Sequence, residues 1–152
     1  MPEIETLYQE IILDHNKRPR NFGPLAGASH DADGLNPLCG DEITVHLMVE
    51  DERIRAVRFE GQGCAISKAS ASMMTEAVEG RSLSEARRTA EKVIGSMHPG
   101  NPELQFEADG ELAVLHGVRD FPARIKCATL AWHALLAALD GRGRTTTETG
   151  TD

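Results

Sequence analysis

Residues 36–41 read Asn-Pro-Leu-Cys-Gly-Asp and place a thiol and a carboxylate two positions apart on a turn rich in Pro and Gly. Gly40 frees the local backbone to adopt unusual angles, which favours exposure of the Cys39 sulfur. The carboxylate of Asp41 can turn toward the same point. We therefore predict that Cys39 and Asp41 share a metal ion with the two remaining cysteines of the chain, Cys64 and Cys127.

A β-hairpin is predicted directly after this turn. Apolar and polar residues alternate along residues 43–49, which is typical of a strand with one buried face. Residues 51–52 form a tight turn, and residues 54–60 form the return strand. Gly61–Gly63 is expected to break that strand. His46 falls on the outer face of the hairpin, and we assign it no ligand role.

Hydrophobic periodicity predicts four main helices. Apolar residues recur at helical spacing in each of them, and Ser82 with Glu85 has the spacing of a capping box. Pro122 suits the first turn of the last helix, and Gly141 ends it. The predicted helices span residues 4–16, 65–79, 82–94 and 122–140, with a short helix at 110–116, a short strand near 29–33 and loops over the rest of 21–38 and at 95–102.

Length and charge limit the classes of function. The 152 residues suit one domain, which we place at residues 1–140, followed by a disordered tail at 141–152. The formal net charge of −8 argues against nucleic acid or an anionic membrane as a partner. The sequence has neither a bilayer-spanning apolar run nor the apolar stretch of a signal peptide, so we expect a cytoplasmic location.

The three cysteines are the strongest chemical feature of the chain. An odd number in a cytoplasmic protein fits metal or redox chemistry better than a disulfide framework. Cys64 and Cys127 lie at or near predicted helix N-termini, where the helix dipole favours a thiolate. Three thiolates and one carboxylate form a tetrahedral set that suits Zn²⁺. Because there is no Cys-x-x-Cys motif, spacing alone leaves open the alternative that these are small buried apolar residues.

Motifs spread over residues 4–140 resemble one known family. The chain resembles the SufU-type branch of the iron–sulfur cluster assembly proteins related to the NifU N-terminal domain and IscU. The resemblance is carried, in order, by Leu7-Tyr8, Asp14-His15, Pro19-Arg20-Asn21, the residue 36–41 motif, Gly61-Gln62-Gly63-Cys64-Ala65-Ile66-Ser67, Ala69-Ser70-Ala71-Ser72-Met73-Met74 and Pro122-Ala123-Arg124-Ile125-Lys126-Cys127-Ala128-Thr129-Leu130.

This resemblance implies an α+β sandwich, in which helices pack on a small, mostly antiparallel sheet of three strands, as in SufE/NifU-like folds. It also implies that Cys39, Asp41, Cys64 and Cys127 are metal ligands. The cluster scaffolds of the IscU type typically carry a His before the last Cys and a Leu-Pro-Pro-Val-Lys chaperone motif. Here Lys126 replaces that His, and residues 121–124 read Phe-Pro-Ala-Arg. These departures favour the zinc-dependent sulfur acceptor over the scaffold.

The resemblance implies a transfer mechanism. A PLP-dependent cysteine desulfurase of the SufS-like kind would hold a persulfide, and one of its side chains would replace Cys39 on Zn²⁺. Cys39 would then attack the terminal sulfur and carry it to a downstream iron–sulfur scaffold or apo-protein. Arg124 would pair with Asp41 or steady the displaced thiolate; a solvated cation at a helix start is the alternative. The chain would thus act as a sulfurtransferase-like carrier.

Two other functions remain open at this point. The same ligands suit Fe²⁺ or a [2Fe–2S] cluster, so the chain is alternatively a scaffold on which a cluster is assembled and handed to apo-proteins. The second alternative is a structural zinc domain without sulfur chemistry. An exposed, exchangeable Cys39 would argue against that last function.

Overall fold

The computed structural model describes residues 2–37, 39–97, 115, 118 and 121–146, with side chains from residue 10 onward. Four helices and four strands follow one another along these residues. They are α1 (Pro2–Lys17), β1 (His30–Asn36), β2 (Asp41–Glu50), β3 (Arg53–Gln62), α2 (Ala65–Val78), α3 (Leu83–Ser96), α4 (Pro122–Leu139) and β4 (Arg144–Thr146).

The sheet has four strands in the order β3-β2-β1-β4, so the prediction of three strands is wrong. Neighbouring strands run antiparallel except β1 and β4, which are parallel. The fourth strand comes from the segment that we expected to be disordered. Residues 144–146 pair with residues 33–35, because the free edge of β1 offers backbone partners to the chain that leaves α4. Residues 147–152 lie outside the described part.

The predicted hairpin is confirmed, and it is longer than expected. Asp51 and Glu52 connect β2 to β3 with φ angles of 54° and 59°, as a two-residue hairpin turn of type I′ requires. The strand β3 continues through Gly61 to Gln62 instead of breaking there. A Cβ atom on Gly61 would lie 2.0 Å from the Glu42 carbonyl oxygen, so only glycine lets the two backbones approach this closely.

The helices cover one face of the sheet and enclose the core. α4 packs against β1, β2, α2 and α3, and α1 packs against α2. Gly34 on β1 allows the close approach of α4, since a Cβ atom there would lie 3.1 Å from Leu130 and 3.2 Å from Ala134. Trp132 on α4 donates from Nε1 to the Ser70 hydroxyl at 3.0 Å, which joins α4 to α2 inside the core.

The helix ends agree closely with the predictions from the sequence. Ser82 and Glu85 form the predicted capping box at the start of α3, an arrangement worth about 1 kcal/mol. Pro122 begins α4 as expected. The helix α3 continues through Gly95 to Ser96, into the predicted loop; the rest of that loop and most of the short helix predicted at 110–116 lie outside the described residues. Over the described ranges, none of the helices combines the length and apolar character needed to cross a bilayer.

Candidate metal centre

The turn that holds Cys39 connects the end of β1 to the start of β2. Asn36 and Asp41 lie directly opposite each other in the antiparallel register. The Asn36 carbonyl oxygen accepts the backbone N–H groups of Cys39 at 3.2 Å and Gly40 at 2.9 Å, and Gly40 has a φ of 72°. Cys39 is exposed at the tip. The predicted turn and the exposure of Cys39 are therefore both found.

Three of the four predicted ligands converge on one point. Three donor atoms lie within 4.8 Å of one another: Cys39 Sγ, a carboxylate oxygen of Asp41 and Cys127 Sγ. Asp41 and Cys127 are buried, whereas Cys39 is exposed. Cys127 comes from the second turn of α4, so the packing of α4 on β1 and β2 brings it to the sheet end.

Cys64, the fourth predicted ligand, borders this group of three. It is the N-cap residue of α2, and its side chain makes no capping hydrogen bond. Its backbone N–H donates to Asp41 Oδ1 at 2.9 Å, and its thiol interacts with that of Cys127. The structure thus places all three thiols and the carboxylate of Asp41 at one end of the sheet, with Cys64 at the side of the cluster.

Two residues that shape the site were not singled out from the sequence. The Asn36 side-chain amide is buried and donates to Asp41 Oδ2 at 3.2 Å and to Cys127 Sγ at 3.6 Å. A Cβ atom on Gly63 would lie 2.5 Å from Asp41 Oδ1, so glycine makes room for the carboxylate. The sequence contained a usable indication for Asn36: a strand β1 extended to residue 36 places it opposite Asp41 across the turn.

Burial governs the protonation of the innermost thiol. Burial, followed by the hydrogen bond with Asp41, raises the pKa of the Cys127 thiol far above its usual range. We expected the N-terminus of α4 to favour the thiolate, and here desolvation outweighs the dipole. A buried thiolate beside a buried carboxylate requires a compensating cation or metal.

Arg124 supplies positive charge from the solvent side. Its guanidinium is exposed, and its pKa is raised first by the charge interaction with Cys64, then by a hydrogen bond with Cys127 and a charge interaction with Cys39. Arg124 thus faces the three thiols, one turn before Cys127 on α4. From the sequence, we expected Arg124 to pair with Asp41 or to steady the displaced thiolate, with a solvated cation as the alternative; it lies beside the thiols, and its exposure also suits the alternative.

The donor set fits a metal ion. Thiolate sulfurs with one carboxylate oxygen are ligands that Zn²⁺ accepts in tetrahedral sites, and Fe²⁺ can use the same atoms. Two of the donors, Asp41 and Cys127, are buried next to each other, an arrangement that a dication would stabilise. The exposed position of Cys39 leaves one side of the site reachable from solvent.

Comparisons with known proteins identify the family to which the chain is similar. The family model described as NifU-like N terminal domain matches residues 7–140. The zinc-dependent sulfurtransferase SufU of Bacillus subtilis (strain 168) is 44% identical over 133 residues, which is 87% of this chain and 88% of that protein. The iron–sulfur cluster assembly scaffold protein IscU of Streptococcus pyogenes serotype M1 is 43% identical over 144 residues, 91% of this chain and 86% of that protein.

A solved structure gives the same result for the fold. The crystal structure of FiSufU from thermophilic Fervidobacterium islandicum AW-1, assigned to the SUF system as an iron–sulfur cluster assembly scaffold, superposes with a TM-score of 0.79 at 33% identity. The match covers 86% of this chain and 94% of that chain. The chain therefore belongs to the family of NifU-like N-terminal domains.

Proposed function

We propose that the protein binds Zn²⁺ through Cys39, Asp41, Cys64 and Cys127 and accepts persulfide sulfur on Cys39 for iron–sulfur cluster biogenesis. The donor would be a PLP-dependent cysteine desulfurase, and the acceptor a downstream iron–sulfur scaffold or apo-protein. One observation carries this proposal: within a single cluster of ligand atoms, Cys39 is exposed on a turn and Cys127 is buried. A carrier needs one thiol that reaches its partner while the others stay in place.

The metal ligands divide into a buried pair and two thiols nearer the surface. Asp41 and Cys127 are buried, Cys64 is half-buried at the start of α2, and Cys39 is exposed. Zn²⁺ bound by these residues would keep its thiol ligands deprotonated near neutral pH. The backbone N–H of Cys39 donates to the Asn36 carbonyl within the turn between β1 and β2, and the Cys39 side chain is exposed, so it is the thiol best placed to meet a partner.

The transfer step is a thiol exchange without net oxidation or reduction. The Cys39 thiolate attacks the terminal sulfur of the donor persulfide, and a new S–S bond forms on Cys39. The S–S bond of the donor breaks, and the donor cysteine leaves as a thiolate that takes up a proton. Cys39 then holds the persulfide, and a second exchange of the same kind passes the sulfur to the acceptor.

Arg124 is the residue that we propose to steady the reacting sulfur. Its guanidinium lies against the three thiols from the exposed side, where negative charge on Cys39 would develop. A guanidinium donates hydrogen bonds in a fixed plane and remains charged at every relevant pH, so it suits an anionic sulfur. The role is electrostatic, and Arg124 exchanges no proton.

The test is the release of alanine by a cysteine desulfurase, with saturating cysteine, in the presence and absence of the zinc-loaded protein. We expect a large stimulation by the wild-type protein and none by Cys39→Ala. Because Cys39 is exposed on a turn, this substitution should leave the fold intact, which circular dichroism would verify. Equal stimulation by both proteins would contradict the assignment of Cys39 as the carrier.

A scaffold function is the second candidate, and one comparison favours it. The relative from Streptococcus pyogenes is named a cluster assembly scaffold, and its identity to this chain is almost as high as that of the zinc-dependent sulfurtransferase. Anaerobic reconstitution with iron and sulfide would distinguish the two functions. A stable cluster that transfers to an apo-protein would support the scaffold. A structural zinc domain is the third candidate, and the exposure of Cys39 argues against it.

A further inference from the structure

We propose that Asn36 is a positioning residue that holds Asp41 and Cys127 as a fixed pair, so that Cys39 can leave the metal and return while the other ligands stay in place. This inference rests on the proposed function, because it assigns Asn36 a task at the same site. It concerns a side chain that contacts two proposed ligands and is not itself a ligand.

Asn36 occupies a buried position, with its side chain beside two of the proposed ligands. It is the last residue of β1, it lies opposite Asp41 in the register, and only 1% of it is exposed. A buried amide must have hydrogen-bond partners, and the N–H group of this one points to both Asp41 Oδ2 and Cys127 Sγ. The –NH₂ group has two N–H donors, so one amide can serve both acceptors.

The two hydrogen bonds of the Asn36 amide connect different parts of the fold. Asp41 belongs to the sheet and Cys127 to α4, so the amide joins the two layers of the fold at the metal centre. Both acceptors carry negative charge when they act as ligands, and hydrogen bonds to charged acceptors are stronger than those between neutral groups. The amide itself is neutral, so it orients the two ligands without competing with a cation for their charge.

The Asp41 carboxylate is held from more than one side. Asn36 donates to Oδ2 at 3.2 Å, and the Cys64 backbone N–H donates to Oδ1 at 2.9 Å. Gly63 leaves space for the carboxylate in this orientation, since a Cβ atom there would lie 2.5 Å from Oδ1. The orientation of Asp41 is therefore fixed by both of its oxygens.

Cys39 differs from this fixed pair in its exposure. The backbone of Asn36 accepts the N–H groups of Cys39 and Gly40, so the same residue also defines the turn. The Cys39 side chain at the tip of that turn is exposed. Asn36 thus fixes the turn through its carbonyl and the buried ligands through its amide. The exposed thiol is left as the part of the site that can change partners.

The experiment measures metal binding and not only transfer. Zn²⁺ affinity is determined by competition with a chromophoric chelator, and the coordination is examined through the visible spectrum of the Co²⁺-loaded protein. We expect Asn36→Ala to weaken Zn²⁺ binding by about 10- to 100-fold, the usual effect of losing an outer hydrogen-bond partner of a ligand. We also expect altered d–d and thiolate charge-transfer bands.

A matched control removes a comparable hydrogen bond from the other side of the same sheet. Thr44 donates to Asp33 at 2.7 Å between β2 and β1, away from the cluster. Thr44→Val should leave both the affinity and the Co²⁺ spectrum unchanged. If Asn36→Ala fails to fold, Asn36→Leu provides the same test, because it keeps about the volume of the side chain, removes both N–H donors and adds no charge.

Combined substitutions separate a positioning role from general damage. In a Cys39→Ala background, Asn36→Ala should weaken Zn²⁺ binding by the same factor as in the wild type, since it acts through Asp41 and Cys127. In an Asp41→Ala background, the factor should be clearly smaller. Unchanged affinity and an unchanged Co²⁺ spectrum in both Asn36 variants would overturn the proposal. Failure of the proposed function would appear elsewhere, as equal sulfur uptake by wild type and Cys39→Ala.

Discussion

Two clusters of ionisable side chains lie on the same sheet and behave differently. At the β1–β2 turn, Cys39, Asp41 and Cys127 direct their donor atoms to one point. On the outer face, His46 lies between two carboxylates; its Nδ1 contacts Asp31, and its Nε2 lies 2.8 Å from Glu60 Oε1. The first cluster brings together groups that repel one another when ionised. The second pairs opposite charges across neighbouring strands.

The difference shows how a ligand site is distinguished from a structural ion pair. The two nitrogens of His46 point in opposite directions, and each one has its own partner within the sheet. The donors at the turn lack such mutual compensation, because two thiols and a carboxylate are all acceptors when they are ionised. Convergence of like charges, with two of the groups buried, therefore predicts a cation at the turn and none at His46.

The largest effect in this comparison is expected from Asp41→Ala. This substitution removes a buried proposed ligand from the point of convergence. Loss of a residue that only hydrogen-bonds to a ligand lowers metal affinity by up to about 100-fold, so we expect loss of the ligand itself to lower Zn²⁺ affinity by at least that factor. Sulfur transfer should be lost together with the metal. Asp31→Ala, which removes a carboxylate from the outer cluster, serves as the control for chelator competition. Comparable loss of zinc in both variants would remove the distinction between the clusters.

A smaller effect is expected from Gly63→Ala. The added methyl group would press against the Asp41 carboxylate, which the Asn36 amide and the Cys64 N–H hold in place. We expect about a 10- to 100-fold loss of Zn²⁺ affinity with little change in thermal stability. Gly143→Ala is the matched control, since its Cβ atom meets open space and its backbone angle is ordinary. Wild-type affinity in Gly63→Ala would show that Asp41 does not need this orientation.

The smallest effect is expected at His46, and it depends on pH. Burial lowers the pKa of His46, but hydrogen bonds with Asp31 and Glu60 outweigh it, so the pKa is raised above 6.5. Since the folded-state pKa exceeds the unfolded-state value, the stabilisation is fully present below about pH 6.5 and is lost as the pH rises through the folded-state pKa.

Urea unfolding of His46→Gln measures this contribution directly. We expect a loss of less than about 1 kcal/mol in the free energy of unfolding at about pH 6, and almost none at about pH 9. His30→Gln is the control, because His30 contacts only a neighbouring hydroxyl, that of Ser29, in the described hydrogen bonds. An equal loss at both pH values would mean that the ion pairs contribute nothing and that packing alone explains the effect.

The sequence was sufficient for elements that local patterns determine. Alternation revealed β2, and the tight turn after it indicated β3 as the return strand. The capping box located the start of α3, and Pro122 located the start of α4. The outer position of His46 also followed from alternation and is confirmed. These features depend on residues that are close together in the chain, so their periodicity and end residues carry the information.

Features that depend on long-range pairing were harder to predict. The strand β4 has only three residues, and it forms because α4 returns the chain to the free edge of β1. The strand β1 contains Gly34 and Asp33, and its length became apparent only from its pairing with β2. The role of Asn36 was missed for the same reason, since its contact with Cys127 joins residues 91 positions apart.

We propose that Cys39 carries the sulfur while Cys64 and Cys127 do not. The most direct measurement is to incubate the zinc-loaded protein with a cysteine desulfurase and cysteine, trap persulfides by alkylation and map the modified peptides by mass spectrometry. We predict one additional sulfur atom, located on Cys39. Sulfur on Cys64 or Cys127 in its place, or unmodified cysteines when the desulfurase is active, would contradict the claim.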